Sequence, residues 1–489
     1  MSAPAAGSSP LSSATLTALG FVEGVSLLVP GSEEYERANG SYYSALESEL
    51  RPSYIVRPAS AEQVRALVEV LRPHAGTTTP VAIRCGGHTP FAGSANVQGG
   101  ITIDLRDLKG VALSPDKSTV EIAAGEIWSS VYAELEKHGL TVAGGRVDRI
   151  GVSGFLLGGG LSYFSGCTGF ACDSVMEFKI VLASGELVRA SATENTDLWF
   201  ALKGGLNNFG IVTSFTMKTI ASREIWGGSV YYPPQAIPQM LQSACDFAQN
   251  EDDQDAHIMC SIGYGYGHLV APSVLYHTEG KVNPPSLQRF TSVQPQIEQM
   301  TTLRTAPLTS FYKELSDFSK DGLRVFYASL TIKPDFSLME ELSDRWQATL
   351  ETIKDIEGFI FGLTIFPLTK AHLQHSVEAG GNAMDILPSD GPLLILLINP
   401  SWTRPEDDNR VFAAVESLLA NMRQLAAKRG CLHRYIYANY GYHKDDIMAG
   451  YGEKSLERLR EVSRKYDPDG MFQRGIAGGF KLGHLSSHL

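Results

Sequence analysis

Arg84-Cys85-Gly86-Gly87-His88-Thr89 follows a short strand-like run, Val81 to Arg84. Two adjacent glycines at the end of a strand let successive backbone N–H groups turn round an anion, for which a pyrophosphate is the natural guest. The hexapeptide alone fits a tight Gly-Gly turn with an ordinary surface histidine equally well. On either side of it, from Pro52 to about Ile220, short runs rich in β-branched residues alternate with helical stretches. Tyr54 to Arg57, Val81 to Arg84, Ile101 to Asp104, Val120 to Ala123, Lys179 to Ala183 and Ile211 to Met217 read as strands, and Ala61 to Leu71 as an amphipathic helix. The pattern is α+β.

Two further glycine clusters follow. Gly151-Val152-Ser153-Gly154, Gly158-Gly159-Gly160-Leu161-Ser162, Gly166 and Gly169 fall close together. A backbone so bare of side chains suits the close approach of a large flat ligand. Phe155, Leu156, Leu157, Tyr163 and Phe164 among them argue against a loose linker. The third cluster is Lys203-Gly204-Gly205-Leu206-Asn207-Asn208-Phe209-Gly210-Ile211-Val212, in which Gly210 opens a strand. None of the three is the strand-GxGxxG-helix of a Rossmann unit and no GxxxxGK[ST] occurs, so neither a nicotinamide nor an ATP site has support.

Beyond Ser222 the elements lengthen. Phe326 to Ile332, Gly358 to Phe366 and Leu393 to Asn399 read as strands buried on at least one face, with helices near Met339 to Ile356 and Arg410 to Arg429. An antiparallel sheet covered by helices is the expected arrangement. Residues 1–50 are small, polar and rich in Ser and Ala, an arm with at most a short helix around Tyr35 to Glu49. At 489 residues and 43% hydrophobic content the chain has material for two cores. The net charge of −12 and the lack of any Lys/Arg stripe speak against nucleic acid as a partner. The first residues have no basic region and no apolar signal core, and no later segment reaches the roughly 18 apolar residues of a membrane span. A cytoplasmic location without membrane attachment is therefore expected. Six cysteines make no disulfide framework, Cys167 and Cys172 read as small buried residues, and no metal-ligand spacing is present.

In order along the chain, the three glycine loops resemble the FAD-binding domain of the vanillyl-alcohol oxidase superfamily, in its berberine-bridge-enzyme-like, fungal-type branch. The resemblance starts at Pro52-Ser53-Tyr54-Ile55-Val56-Arg57-Pro58 and includes Asp197-Leu198-Trp199-Phe200-Ala201-Leu202. It ends on Tyr437-Ala438-Asn439-Tyr440, Tyr451-Gly452-Glu453 and Lys465-Tyr466-Asp467-Pro468-Asp469-Gly470-Met471-Phe472. It implies a two-subdomain FAD-binding domain over residues 51–222 and a substrate-binding domain over 223–430. A C-terminal segment, 431–489, would carry the Y-x-N-Y motif back to the FAD domain.

The resemblance implies residue roles as well. FAD would be bound covalently through His88, whose imidazole withdraws electron density, raises the flavin potential and fixes its ring. Arg84, Cys85, Gly86, Gly87 and Thr89 would cradle it, with Val147, Ile150, Gly151, Val152, Ser153, Gly154 and Leu161 from the second loop. Gly210, Ile211, Val212 and Asn439 would complete the cradle. Many members carry a second, cysteinyl tether where this chain has Val147, so a single covalent bond follows. Ile150 maps to a position over the flavin edge that O2 approaches, and oxidase and dehydrogenase both remain open. Tyr440 would be the base and Tyr437 its neighbour, either of them able to take that role; Arg434, His433 and His443 are the nearby candidates for lowering a phenol pKa that is ordinarily near 10. Neither Phe359 to Leu368 nor Leu393 to Trp402 contains a carboxylate to serve instead. Gly380-Gly381-Asn382 fits a border of the substrate cavity or a plain turn. The expected activity is removal of a hydride from an alcohol, amine or phenolic secondary metabolite, with O2 or another acceptor reoxidising the flavin. A carbohydrate oxidoreductase and a non-redox flavin scaffold are the alternatives.

Overall fold

The runs flanking the first glycine loop form the sheet their pattern implies. In the computed structural model, which describes residues 22–74, 79–317, 319–476 and 478–483, Tyr54–Arg57 and Val81–Arg84 lie parallel to Ile101–Asp104, one on each side of it. Ser26–Leu28 closes one edge, antiparallel to Tyr54–Arg57. Helix Ala61–Leu71 is capped by the Ser60 hydroxyl, which accepts from the Gln63 amide at 3.2 Å. It buries Val64, Leu67, Val68 and Leu71, the i, i+3, i+4, i+7 stripe of an amphipathic helix. A second, five-stranded sheet is antiparallel in the order Val111–Leu113, Thr119–Ala123, Ile211–Lys218, Val175–Val181, Leu187–Ser191. Its Phe178, Ile180 and Phe215 share one core with the helix stripe.

The second half is a nine-stranded antiparallel sheet among the described residues, centred on Ala256–Gly265, Ile360–Leu368 and Leu393–Trp402. Strand Leu393–Trp402 explains why these runs are apolar throughout. Leu394, Leu396 and Ile398 point to a core under the helices, and Leu393, Ile395 and Leu397 point to the core of the first half. A strand covered on both faces needs no polar alternation. Helices Ile237–Asn250, Phe336–Ile353 and Asp408–Lys428 supply the cover, the second through Leu342, Trp346, Leu350 and Ile353. No helix among the described residues is long and apolar enough to cross a membrane.

Residues 22–50, read from composition as an arm, are instead folded against both domains, Ser44 and Glu49 bonding to Val325 and Arg324 of the second and Leu46 joining its core; residues 1–21 lie outside the described residues. Two short helices, Glu33–Asn39 and Ala45–Ser48, stand where one was expected. Tyr35, Tyr42 and Tyr43 are buried and the Glu47 side chain is wholly so. Its carboxylate accepts from the amides of Gly93 (2.9 Å) and Ala95 (2.7 Å) and from the Ser94 hydroxyl, yet burial still pushes its pKa up to about 7. Small polar residues hid this because they bond to backbone groups from elsewhere in the chain, which leaves no local period.

The two glycine loops that open the first domain cross each other. A β-carbon on Gly86 would lie 2.5 Å from the Gly151 amide nitrogen, and one on Gly151 would lie 2.4 Å from that of Gly86. No side chain fits between two backbones so close. Gly86→Ala should therefore cost about 2–3 kcal/mol, whereas Gly263→Ala, whose nearest neighbour would be 3.8 Å away, should stay within about 0.5 kcal/mol. Urea unfolding midpoints of the two variants check the contrast.

Candidate active site

The crossing loops are fastened to one carbonyl. The Cys85 thiol (2.8 Å) and the Ser153 hydroxyl (2.7 Å) both donate to Ala124 O, while the Val152 amide donates to Glu126 O and the Trp128 amide to Ile150 O. Gly87, at φ +68°, turns the chain where a side chain would strike Arg84 and Tyr42. That turn presents His88, half-buried and stacked on the Tyr43 ring at 4.1 Å and 7°. Burial pulls its pKa down to about 4, so the imidazole is neutral at pH 7 and offers a free lone pair.

Several expected cradle residues act through their backbone or packing. Arg84 is fully buried, and its guanidinium donates to Ala38 O (2.6 Å) and Ser41 O (2.7 Å) while lying 3.6 Å from the Tyr42 ring. It thereby joins the 38–42 turn to the loop. Thr89, Val147 and Ile150 are half-buried. Gly210 precedes the strand Ile211–Lys218 of the five-stranded sheet, in which Ile211 and Val212 pair with Val181 and Ile180. Gly154 is different: it is exposed, and a β-carbon there would meet nothing within 4 Å.

The C-terminal segment closes over these loops. The Asn439 amide occupies the space of a β-carbon on Gly158, 2.1 Å from its Oδ1, and donates to Phe155 O (3.1 Å) and to the Tyr437 hydroxyl (3.0 Å). The same Tyr437 oxygen accepts from the Leu161 amide at 3.0 Å, and burial drives its pKa up. Tyr440 packs edge-on to Tyr437 at 4.7 Å. Its hydroxyl accepts from Arg146 Nη2 at 3.0 Å. Burial raises the Tyr440 pKa, and the Arg146 charge and hydrogen bond pull it back.

None of the three side chains expected beside Tyr440 is the one that reaches it. Arg434 is spent on Gly450 O (2.7 Å) and Asp385 O (2.6 Å), His433 lies 3.9 Å from Asp390, and His443 packs among Phe91, Phe412 and Tyr442. Sequence proximity misled because the turn Ala438–Tyr440 points its last ring across the molecule. Arg146 stands 294 positions away. It is 7% exposed and lies 3.3 Å from His257 Nε2 and 4.7 Å from the Phe366 ring centre. Among the described residues no carboxylate forms an ion pair with it. The available signal was an arginine inside a buried glycine-rich stretch, Gly144-Gly145-Arg146. A file of rings, His88, Tyr43, Tyr327 and Tyr440, spans the gap with centroid steps of 4.1, 6.4 and 5.7 Å.

The Gly380-Gly381-Asn382 bend is not a plain surface turn. Asn382 Nδ2 (3.0 Å) and the Ser376 hydroxyl (2.6 Å) donate to buried Asp173, and Lys203 Nζ donates to Ala379 O at 3.2 Å. The bend fastens the substrate sheet to the third glycine loop.

A family model described as an FAD binding domain matches residues 52–191. Similar proteins include the FAD-dependent monooxygenase drtC of Aspergillus calidoustus, 33% identical over 92% of this chain and 87% of that protein. The FAD-dependent monooxygenase tpcD of Cochliobolus heterostrophus is 33% identical over 91% and 88%. The chain belongs to the same family of FAD-dependent oxidoreductases as these fungal proteins. Among solved structures, the glucooligosaccharide oxidase of Acremonium strictum superposes with a TM-score of 0.78 at 18% identity, over 96% of this chain and 99% of that one. The BBE-like 1 protein of Physcomitrella patens gives 0.76 at 20%, over 96% and 99%. These share the fold.

The residues of the flavoenzyme suit FAD on their own geometry. Two loops stripped to backbone at their crossing, an open position at Gly154 that a methyl would fill, and a neutral imidazole beside them match a flat dinucleotide. Gly154→Ala should leave the urea midpoint within about 0.5 kcal/mol of the parent while lowering the flavin content of the purified protein. The ratio of flavin to protein absorbance measures it.

Proposed function

We propose that this flavoenzyme carries FAD on a single covalent bond from His88 and removes a hydride from a C–H bond of an alcohol, amine or phenolic secondary metabolite, with Tyr440 as the base. The observation that carries the reading is the 3.0 Å bond from Arg146 to the Tyr440 oxygen. FAD, when bound, supplies the two-electron acceptor for the hydride.

The chain's own part is to hold and move one proton. Tyr440 must receive it from the substrate O–H or N–H as the neighbouring C–H bond loses its hydride. A phenol does this only if its conjugate anion is stabilised. Arg146 does so by donating to the phenol oxygen, in a pocket where Phe366 (5.2 Å) and Tyr327 (5.7 Å) pack on the Tyr440 ring and keep bulk water away. Tyr437 is the poorer base because its oxygen already accepts two neutral N–H donors and no cation touches it. At Val147 the chain has no thiol, which supports one covalent bond in place of the 6-S-cysteinyl, 8α-N1-histidyl pair named for the Acremonium enzyme. The fungal relatives' names support a flavin oxidation on a small molecule.

Tyr440→Phe should slow anaerobic flavin bleaching by substrate about 10²–10⁴-fold. The parent rate rises with pH as Tyr440 loses its proton. Arg146→Met removes what pulls that pKa down, so its rising limb should shift to higher pH. Bleaching as fast as the parent in Tyr440→Phe overturns the assignment. Admission of air then reads the acceptor, and labelled oxygen in the product under isotopic O2 would establish monooxygenation, as named for the relatives, in place of hydride removal.

For the covalent bond, acid or heat denaturation should leave flavin attached to the parent and release it from His88→Ala. Because the imidazole is neutral above its pKa of about 4, covalent incorporation of FAD into apoprotein should be insensitive to pH between 6 and 8 with respect to His88. Release of flavin from the denatured parent sinks the covalent reading and leaves the FAD fold standing.

A further inference from the structure

The hairpin of Ala256–Gly265 and His268–His277 pairs Ala256 with His277. That register sets His277 beside the acidic run Glu251-Asp252-Asp253-Gln254-Asp255, a juxtaposition with no sequence spacing to announce it. His277 is 0% exposed, and neither of its ring nitrogens has a hydrogen-bond partner. Its Nε2 lies 3.4 Å from Asp253 Oδ2. One ligand atom each from Asp253, Asp255 and His277 lie within 4.8 Å of one another. A buried imidazole with both nitrogens unpaired is costly unless something takes its lone pair.

We propose that Asp253, Asp255 and His277 form a binding site for one divalent transition-metal ion, zinc being the ion whose ligand chemistry fits. Zinc takes imidazole nitrogen and carboxylate oxygen at about 2.0–2.2 Å in a tetrahedron, which sets neighbouring ligand atoms roughly 3.3–3.6 Å apart. The His277 to Asp253 separation falls in that range. Magnesium and calcium prefer all-oxygen shells and gain nothing from the imidazole. Two carboxylates and an imidazole make up the donor set; of the neighbouring acids, Glu251 is paired with Arg289 (2.8 Å) and Glu279 with Arg223.

The surroundings orient the ligands as an outer shell should. The Ser286 hydroxyl donates to Asp253 Oδ2 at 2.7 Å. The Thr278 hydroxyl (3.0 Å) and the Cys167 thiol (3.3 Å) donate to Asp255 Oδ1, leaving Asp255 Oδ2 for the ion. Water takes the fourth position, reached through a cavity of about 180 Å³ lined by Cys167, Asp255 and Thr278. The site lies on a seam: Cys167 also donates to Gln254 O at 3.1 Å, and a β-carbon on Gly166 would be 2.2 Å from that oxygen. Metal there ties the mouth of the substrate sheet to helix Ser165–Thr168 of the FAD domain, a stabilising role with no electron transfer.

The test uses tag-free holoprotein dialysed against a chelator, then titrated with zinc and desalted. Plasma mass spectrometry should find one zinc retained per chain, with a rise in Tm of several degrees. His277→Gln and Asp255→Asn should each lose both the zinc and the Tm rise while keeping the flavin absorbance that reports an intact fold. No retained zinc, or equal retention in both variants, overturns the proposal. A Tm that falls with pH identically with and without zinc would mark an Asp253–His277 ion pair instead and overturn it as well.

Discussion

Two peptide backbones in contact, at Gly86 and Gly151, are the constraint on which the rest of this molecule depends. With no side chain between them, the loop that ends in His88 and the loop that begins at Arg146 become one surface. Cys85 and Ser153 bind that surface to a single carbonyl, that of Ala124 just past the strand Thr119–Ala123. A second close approach, Asn439 over Gly158, adds the C-terminal turn. Through these two contacts, residues widely separated in sequence share a site, and a methyl at either crossing would separate them by more than a hydrogen bond tolerates.

Elements whose pattern is local were legible in the sequence. Ala61 to Leu71 is the helix its stripe implies, and the four-residue strands around the first glycine loop stand where alternation put them. The apolar run at Leu393 was legible as a strand, though its two buried faces could be told only from what covers them. Over Tyr35 to Glu49 a short helix was legible, but not the segment's place in the fold. Its order comes from Glu47 meeting the 93–95 amides and from Arg84 meeting Ala38 and Ser41, contacts without a period.

The same division holds at the site. Glycine loops and the Y-x-N-Y segment can be read from spacing, because backbone geometry demands particular residues in order. The partner of Tyr440 cannot, since a hydrogen bond across 294 positions obeys no local rule. Arg146 lies in a loop of the first domain, and His257 and Phe366 lie on two strands of the second. A search near Tyr440 in sequence found Arg434, whose guanidinium serves the Gly450 and Asp385 carbonyls as a backbone clamp.

Arg146 also shows how the site divides its charge. A buried guanidinium normally sits against a carboxylate, and this one has a phenol, an imidazole and an aromatic face. Each of those partners solvates a cation without cancelling it. The uncancelled charge makes an anion at the Tyr440 oxygen less costly than at that of Tyr437, one turn away, whose donors are neutral. A carboxylate beside Arg146 would pair with it and remove that difference. The strands Ile360–Leu368 and Leu393–Trp402, which contain no Asp or Glu, leave the contrast between the two tyrosines intact.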